Sequence, residues 1–588
     1  MIQVILLIVF LFLTIVSGLA FFQTEKLTTN KLVIAFIIGP PVIAFSVFLL
    51  AFILPLKPLY LFLVIFASLL FYWRKNINNL KLKKIKFNWV VLGSLLISLL
   101  TITFYSYQQS YNPNTGLTFF HVANAHDSLW HAALQNSLQA NIPPENPVFS
   151  GTQVKGYHYF TDIYFALISN FTTISTLHLA IFYIPLIIGS GFVLSNYLLA
   201  KTIFNKSLPI SLATILLSTY SAQPQLLAWL FPNASIHPSM FWLDQPATYL
   251  INPQLVLSVS ILNVLIYFFL KKKDYSVKEI YLLAALVGIK IYSILIILPS
   301  FLLNLWQNKN QTKKIGLPII TILLLLITAL MIGSNSKQIP FFISPGWFIQ
   351  QMFTAQDRLN FDTWELQRQH YLQFGSILHL VKHWGYGLII FLMGNFGLIL
   401  LPFMFAVFKN SKKYNLLLLP IILVSIAFPL IFLQSGVVWN TIQVLTYARI
   451  PLIISVLLWL KNQPKLTIKL LVSLVILSLP SILLTYQSVN NEKLYVNYSA
   501  KLIASIKKIP VENKTYLLTD QKLNDSALIP AVSKLKLYAA DSTVITILNL
   551  TEKDRLEQAD PKNCPKDFVY LNFKNDQILV SWCEENSY

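Results

Sequence analysis

Charged side chains are scarce in this chain: 11% of its 588 residues are Asp, Glu, Lys or Arg, only 23 are acidic, and 55% are hydrophobic. A water-soluble protein of this size could not hide so much apolar surface, which excludes an ordinary soluble globular class. Cysteine is rarer still, with Cys564 and Cys583 the only two. Two thiols are too few for a cysteine-built zinc site. In an oxidising compartment they can pair, so a disulfide and two separate thiols both fit the sequence. The His-Glu-x-x-His pattern is absent, as are a P-loop, a dinucleotide fingerprint, the kinase motifs and a suitably placed Gly-x-Ser-x-Gly elbow. These absences argue against a nucleotide-driven pump. No internal repeat is evident. The first apolar run, 3–22, has no basic leader ahead of it. It is expected to remain as a span, with Ser17-Gly18-Leu19-Ala20 leaving cleavage open.

What the chain does have is apolar runs, at 3–22, 32–54, 58–73, 87–107, 177–199, 207–222, 254–270, 278–306, 315–333, 386–408, 415–433, 447–460 and 465–485. Runs of about 20 apolar residues match a bilayer core, and in lipid they must be helical to satisfy their own backbone. The fold class expected is therefore an all-α polytopic membrane protein. Net charge is +21, but the lysines and arginines cluster in short loops between spans. Arg74, Lys75, Lys81, Lys83, Lys84 and Lys86 share one such loop; Lys271-Lys272-Lys273, Lys309 with Lys313 and Lys314, Lys409 with Lys412 and Lys413, and Lys461 with Lys465 mark others. That is the positive-inside pattern and not a nucleic-acid footprint. The run 278–306 would extend about 43 Å as one helix, too long for one upright span, so it is expected to be two short helices. Counting it twice gives about 14 crossings and puts every basic loop on one side.

The polar segments 108–176, 223–253, 334–385 and 434–446, and the tail after 486, then share the other, extracytoplasmic side. The organisation predicted is N-terminal transmembrane helices over 1–86, a transmembrane core over 87–485 carrying those loops, and a small extracytoplasmic α/β domain over 486–588. The tail shows short β-like runs at Thr515–Thr519, Val544–Leu548, Phe568–Leu571 and Ile578–Trp582, and a helix over Ser499–Lys508. Residues 159–174 are amphipathic and suit a helix lying on the membrane surface. Trp347, Phe348, Trp364, Tyr371 and Trp384 suit interfacial anchors or a substrate platform.

Chemistry concentrates in the first large loop, at His126-Asp127-Ser128-Leu129-Trp130-His131. On a helix Asp127 and His131 share a face. A carboxylate at a membrane boundary can take a proton from an attacking hydroxyl; the plainer reading is an acid near a helix N-terminus. Asp127 with His126 and His131 could also hold a divalent metal, although paired histidines often only hydrogen-bond. Further along stand Pro143-Pro144-Glu145-Asn146-Pro147, then Gly151 and Tyr157-His158-Tyr159, whose polar edges and flat faces suit sugars and phosphate oxygens. Lys290, in Gly288-Ile289-Lys290, is an intramembrane cation, which normally faces a counter-ion or a wet cavity; snorkelling to the interface is the alternative. Arg449 stands at the mouth of a span and can grip a phosphate bidentately, after the polar cluster Trp439-Asn440-Thr441-Ile442-Gln443. The loop 223–253 ends in Asn252-Pro253-Gln254, with Asp244 its single acid.

In order and spacing these motifs resemble the GT-C superfamily of integral membrane glycosyltransferases, especially bacterial mannosyltransferase- and arabinosyltransferase-like members, over most of 87–485. The resemblance implies a polyprenyl-phosphate-linked sugar donor, a glycan, lipid or protein acceptor, and an inverting transfer on the extracytoplasmic face of the plasma membrane. It implies Asp127 as the catalytic base and Lys290 or Arg449 as the counter-charge to the leaving phosphate. Around them, His126, His131, Glu145, Tyr157, His158, Trp439, Asn440 and Gln443 are the candidate substrate-binding residues. A metal at Asp127 and His131 stays open. The first large loop follows the fourth span, where many relatives have it after the first, and the adjacent pair of acids seen in several is a lone Asp127. Two other enzyme or transport readings remain: a flippase of lipid-linked glycans, and an O-antigen ligase or polymerase type, for which Arg358, Arg368, His370 and His379 are available. A catalytically inactive scaffold is a further alternative.

Overall fold

The computed structural model describes residues 1–20, 26–74, 81–82, 88–112, 114–155, 157–243, 250–271, 277–307, 341–435, 437–510, 515–518, 526–538 and 568–582. Among them, nine helices are long and apolar enough to cross a membrane, and four shorter apolar helices, Pro58–Phe71, Ser207–Thr219, Glu279–Ile289 and Ile291–Leu303, accompany them. The expected run 315–333, Asp244, the strand Val544–Leu548 and both cysteines lie outside the described residues. The long run 278–306 divides at Lys290 into Val277–Ile289 and Ile291–Gln307. The first packs on Thr29–Ala51 and the second on Lys412–Ile431.

Burial separates central helices from peripheral ones. Val438–Leu460 is 89% buried over its apolar window and Pro253–Lys271 83%, whereas Pro464–Val489 is only 28% buried, as befits a helix facing lipid. Between the central helices, polar side chains bond across the interfaces. Asn263 donates to Ser195 Oγ at 2.9 Å and to Asn196 Oδ1 at 2.8 Å, and Asn196 donates to Ser218 at 3.1 Å. Where no water competes, such bonds satisfy groups that would otherwise be stranded in hydrocarbon.

The segment expected to lie on the membrane surface does not. Helix Phe160–Thr172 is buried along nearly its whole length, packed by Ile2–Leu19, Thr29–Ala51 and the helix Val122–Leu138. Its polar side is covered because it meets polar groups of that last helix. A close approach fixes its start: a Cβ at Gly288 would lie 2.5 Å from the Phe160 ring. The lack of a side chain there lets the Lys290 region dock on the Phe160–Thr172 helix.

The tail is bound to the first large loop. Val496–Tyr498 adds to a hairpin of Ser110–Asn112 and Gly116–Phe119, all antiparallel. Gly116 has φ +103°, and a Cβ there would stand 2.2 Å from the Tyr498 carbonyl oxygen. A second sheet joins Thr515–Leu518, parallel, to Phe568–Lys574, which pairs antiparallel with Gln577–Trp582. Ser499 caps helix Ala500–Lys507. Backbone bonds between Leu537 and both Pro147 and Ser150, each 2.8 Å, hold the tail against the loop after the Val122–Leu138 helix.

Candidate active site

The site is organised by helix Val122–Leu138, whose N-cap His121 accepts the Ala123 N–H through Nδ1 at 3.1 Å. Polar residues recur along it at helical spacing: Asn124, Asp127, Ser128, His131 and Gln135 all line one narrow cavity of about 20 Å³. Leu129, Ala132, Ala133 and Leu134 are buried in the core. Asp127 lies beyond the helix's first turn, so the reading of it as a residue placed for the helix dipole loses its basis.

The opposite wall brings Asp162, an acid that the sequence reading passed over. It is 1% exposed and accepts three contacts: His131 Nδ1 lies 3.1 Å and 3.0 Å from its two oxygens, and Gln135 Nε2 donates at 3.1 Å. A carboxylate can only accept, so Nδ1 carries the proton and the other ring nitrogen is left as an acceptor. Gln254 Nε2 stands 2.9 Å from both ring nitrogens and so lies against the imidazole. Asn252-Pro253-Gln254 thereby acquires a role: Pro253 starts helix Pro253–Lys271, and Gln254, in its first turn, fixes the imidazole. The wall behind includes Ala180, within a wide π-helical turn over Leu179–Tyr183, and Ile184, which follows it.

Asp127 is different. It is half-buried, lines the same cavity, and makes no hydrogen bond to a described residue. Lys290 and Tyr157 are within electrostatic reach of it. Lys290 is 4% exposed and directs its ammonium toward His158 Nε2 at 3.4 Å and toward the Tyr292 ring, 5.7 Å to the centroid. Burial, the Lys290 charge and His131 together hold the His158 imidazole well below its ordinary pKa, so it is neutral and accepts. His158 stacks on Tyr157 with centroids 4.6 Å apart. The Tyr157 hydroxyl accepts from Trp130 Nε1 at 3.1 Å, and burial foremost, with Asp162 next, pushes its pKa up.

The remaining sequence candidates are scattered. Gln443 accepts from Asn252 at 3.4 Å and donates to Asn440 at 3.4 Å, one step from Gln254 along the chain. Trp439 is 46% exposed and stacks on Trp242, centroids 5.1 Å apart, within a group that includes Trp347. Arg449 is buried within its helix and lies within electrostatic reach of Tyr220, whose hydroxyl donates to the Phe396 carbonyl at 2.8 Å. Glu145 sits in the turn after the site helix. It accepts the Gly151 N–H at 2.7 Å and pairs with Lys536 of the tail. Burial raises its pKa, but the Gly151 N–H and Lys536 outweigh that and hold it below the ordinary carboxylate value. His126 is half-buried on the site helix.

The sequence left a divalent ion at Asp127 and His131 open. His131 already contacts Asp162 and Gln254. Among the described residues no group of three or more His, Cys, Asp or Glu side chains stands close enough to hold a metal.

No protein-family model matches this sequence, and no curated protein matches it. A solved structure is similar to the chain: the oligosaccharyltransferase of Archaeoglobus fulgidus in complex with Zn and sulfate, at 11% identity and a TM-score of 0.40. The match covers 76% of this chain and 62% of that one, so the chain spans less than two thirds of its length.

Proposed function

We propose that this protein is a membrane glycosyltransferase that moves a sugar from a polyprenyl-phosphate donor to an acceptor hydroxyl, with inversion, on the extracytoplasmic side. One observation carries the reading. A carboxylate without hydrogen-bond partners among the described residues, Asp127, shares a cavity wall with a paired acid and imidazole and lies within reach of a buried lysine. In this reading Asp127 removes the acceptor proton as the hydroxyl oxygen attacks the anomeric carbon. The bond from that carbon to the phosphate oxygen breaks, and the lipid phosphate leaves with the electron pair. Lys290 offsets the charge that develops on it. Asp162 and Gln254 keep His131 in one orientation, so the imidazole frames the site instead of competing for the proton. Tyr157 and His158 offer flat faces and polar edges to a sugar ring, and Asn440 and Gln443 extend the polar wall.

The test is transfer of labelled sugar from a polyprenyl-phosphate donor by purified protein in nanodiscs. Asp127→Asn is expected to abolish transfer while leaving the amount of protein in the membrane unchanged. Retained turnover in that variant would remove the base. Movement of the lipid-linked sugar between leaflets without transfer would favour a flippase.

A further inference from the structure

The site helix has a second face. Opposite the Asp127 stripe, Ala133, Asn136, Ser137 and Ala140 line a separate, open groove of about 330 Å³ that the sugar-transfer chemistry does not use. Its far wall comes from the tail, through Pro530, Lys534 and Lys536, and its rim includes Lys57. Among the described residues no acidic side chain lines it. Lys536 is neutralised by its ion pair with Glu145. Lys534 only donates to the Gln139 amide oxygen, at 3.0 Å, and keeps its charge. Lys57 is exposed and forms no ion pair with a described residue. Among the described residues the groove therefore carries two lysines with no acidic partner, beside the polar side chains of Asn136, Gln139 and Asn170.

Its position limits what can fill it. Lys57 immediately precedes the apolar helix Pro58–Arg74, and its neighbours Phe52, Ile53, Leu56 and Tyr60 are 64%, 73%, 43% and 56% exposed. Bare apolar side chains around one lysine mark a lipid boundary, with the ammonium reaching the headgroup level. The anion found at that level is a phosphate ester, and compact ammonium charges with amide donors suit a tetrahedral oxyanion.

We propose that the Lys57–Lys534 groove is a phosphate-binding subsite, distinct from the Asp127 cavity, for phosphate esters at the membrane boundary. It does not depend on the sugar-transfer reading, because its readout is binding. Full-length protein in detergent is offered phosphatidylglycerol or phosphatidylcholine and examined by native mass spectrometry; inorganic pyrophosphate is titrated in parallel by calorimetry. The wild type is expected to retain phosphatidylglycerol in preference to phosphatidylcholine. Lys57→Gln/Lys534→Gln is expected to weaken retention about tenfold, the scale of one or two lost charge-assisted contacts. Lys57→Arg/Lys534→Arg should restore it. The charge-matched control Lys409→Gln/Lys412→Gln should retain lipid as the wild type does. Lipid retention without pyrophosphate binding assigns the subsite to a lipid headgroup; binding of both assigns it to the phosphate itself. Lys57→Gln alone, at an exposed position, gives the same direction of change should the double variant fold poorly. An equal loss in the control, unchanged binding in the Gln variants, or a wild type that binds neither probe selectively overturns the proposal.

Discussion

The two ends of the central cavity hold the same functional group in opposite circumstances. Asp162 is sealed, with two donors directed at it. Asp127 lines the same space half-exposed, and a buried lysine lies within electrostatic reach. A carboxylate already saturated with hydrogen bonds gains little by taking another proton, and removing its charge would strand its donors. One left without donors strands no hydrogen bond when it takes a proton. In the proposed reaction the difference divides the roles: Asp162 would position, and Asp127 would react. Each prediction below either widens or erases that contrast.

The largest expected effect is on Asp127. General-base catalysis contributes about 10²–10⁴-fold, so Asp127→Asn should lower the sugar-transfer rate by that order while the melting temperature stays within error. A loss of stability instead of rate would make the two acids equivalent and end the assignment. Lys290→Gln comes next. Removing one electrostatic partner of a developing oxyanion costs on the order of 10²-fold in rate. The loss should appear in kcat more than in KM, since the phosphate charge grows as the bond breaks.

Asp162→Asn should act in the reverse sense to Asp127→Asn. It removes charge from hydrogen bonds worth about 1.5–3 kcal/mol each, so the melting temperature should fall clearly. The rate should drop only about tenfold, the smaller end of what misplacing a neighbouring group costs. A His131→Asn exchange in the Asp162→Asn background should then add little, because both changes break one unit.

How much of this was legible beforehand depended on distance along the chain. Asp127 and His131 are one helical turn apart, so their shared face could be read from spacing. The break at Lys290 could be read from the length of its run and the charge in its middle. Asp162 could not, because Phe160-Thr161-Asp162-Ile163-Tyr164 reads as an amphipathic surface segment. The overlooked signal was an acid set amid aromatic and apolar residues, which inside a membrane protein points to a buried partner. Glu145 illustrates the same limit. Grouped with Tyr157 and His158 by sequence, it instead meets Lys536, which periodicity cannot reveal. Arg449 was expected at the mouth of a span, holding a phosphate; it is instead buried, and its neighbour Tyr220 belongs to a distant span. The extent of the tail's attachment was equally hidden, since strand Val496–Tyr498 finds its partner in the first loop.

The Glu145–Lys536 pair gives the smallest predicted effect and tests the tail's attachment separately from the chemistry. The pair is partly exposed, so it contributes little to overall stability. Its pKa is nevertheless held below the ordinary carboxylate value of 4.5. A group whose folded-state pKa is depressed stabilises above its unfolded value and loses that contribution as pH falls through the folded one. Hydrogen exchange in 528–537 should therefore be slow at neutral pH and accelerate once the pH drops below about 4.5. The Asp127 cavity should keep its protection through the same range, because the tail contacts the other face of the helix. In Glu145→Gln the acceleration should already be present at neutral pH, with no further change on acidification. Equal loosening of both faces in that variant would mean that the helix transmits the tail's detachment into the cavity, and the separation between its two faces would fail.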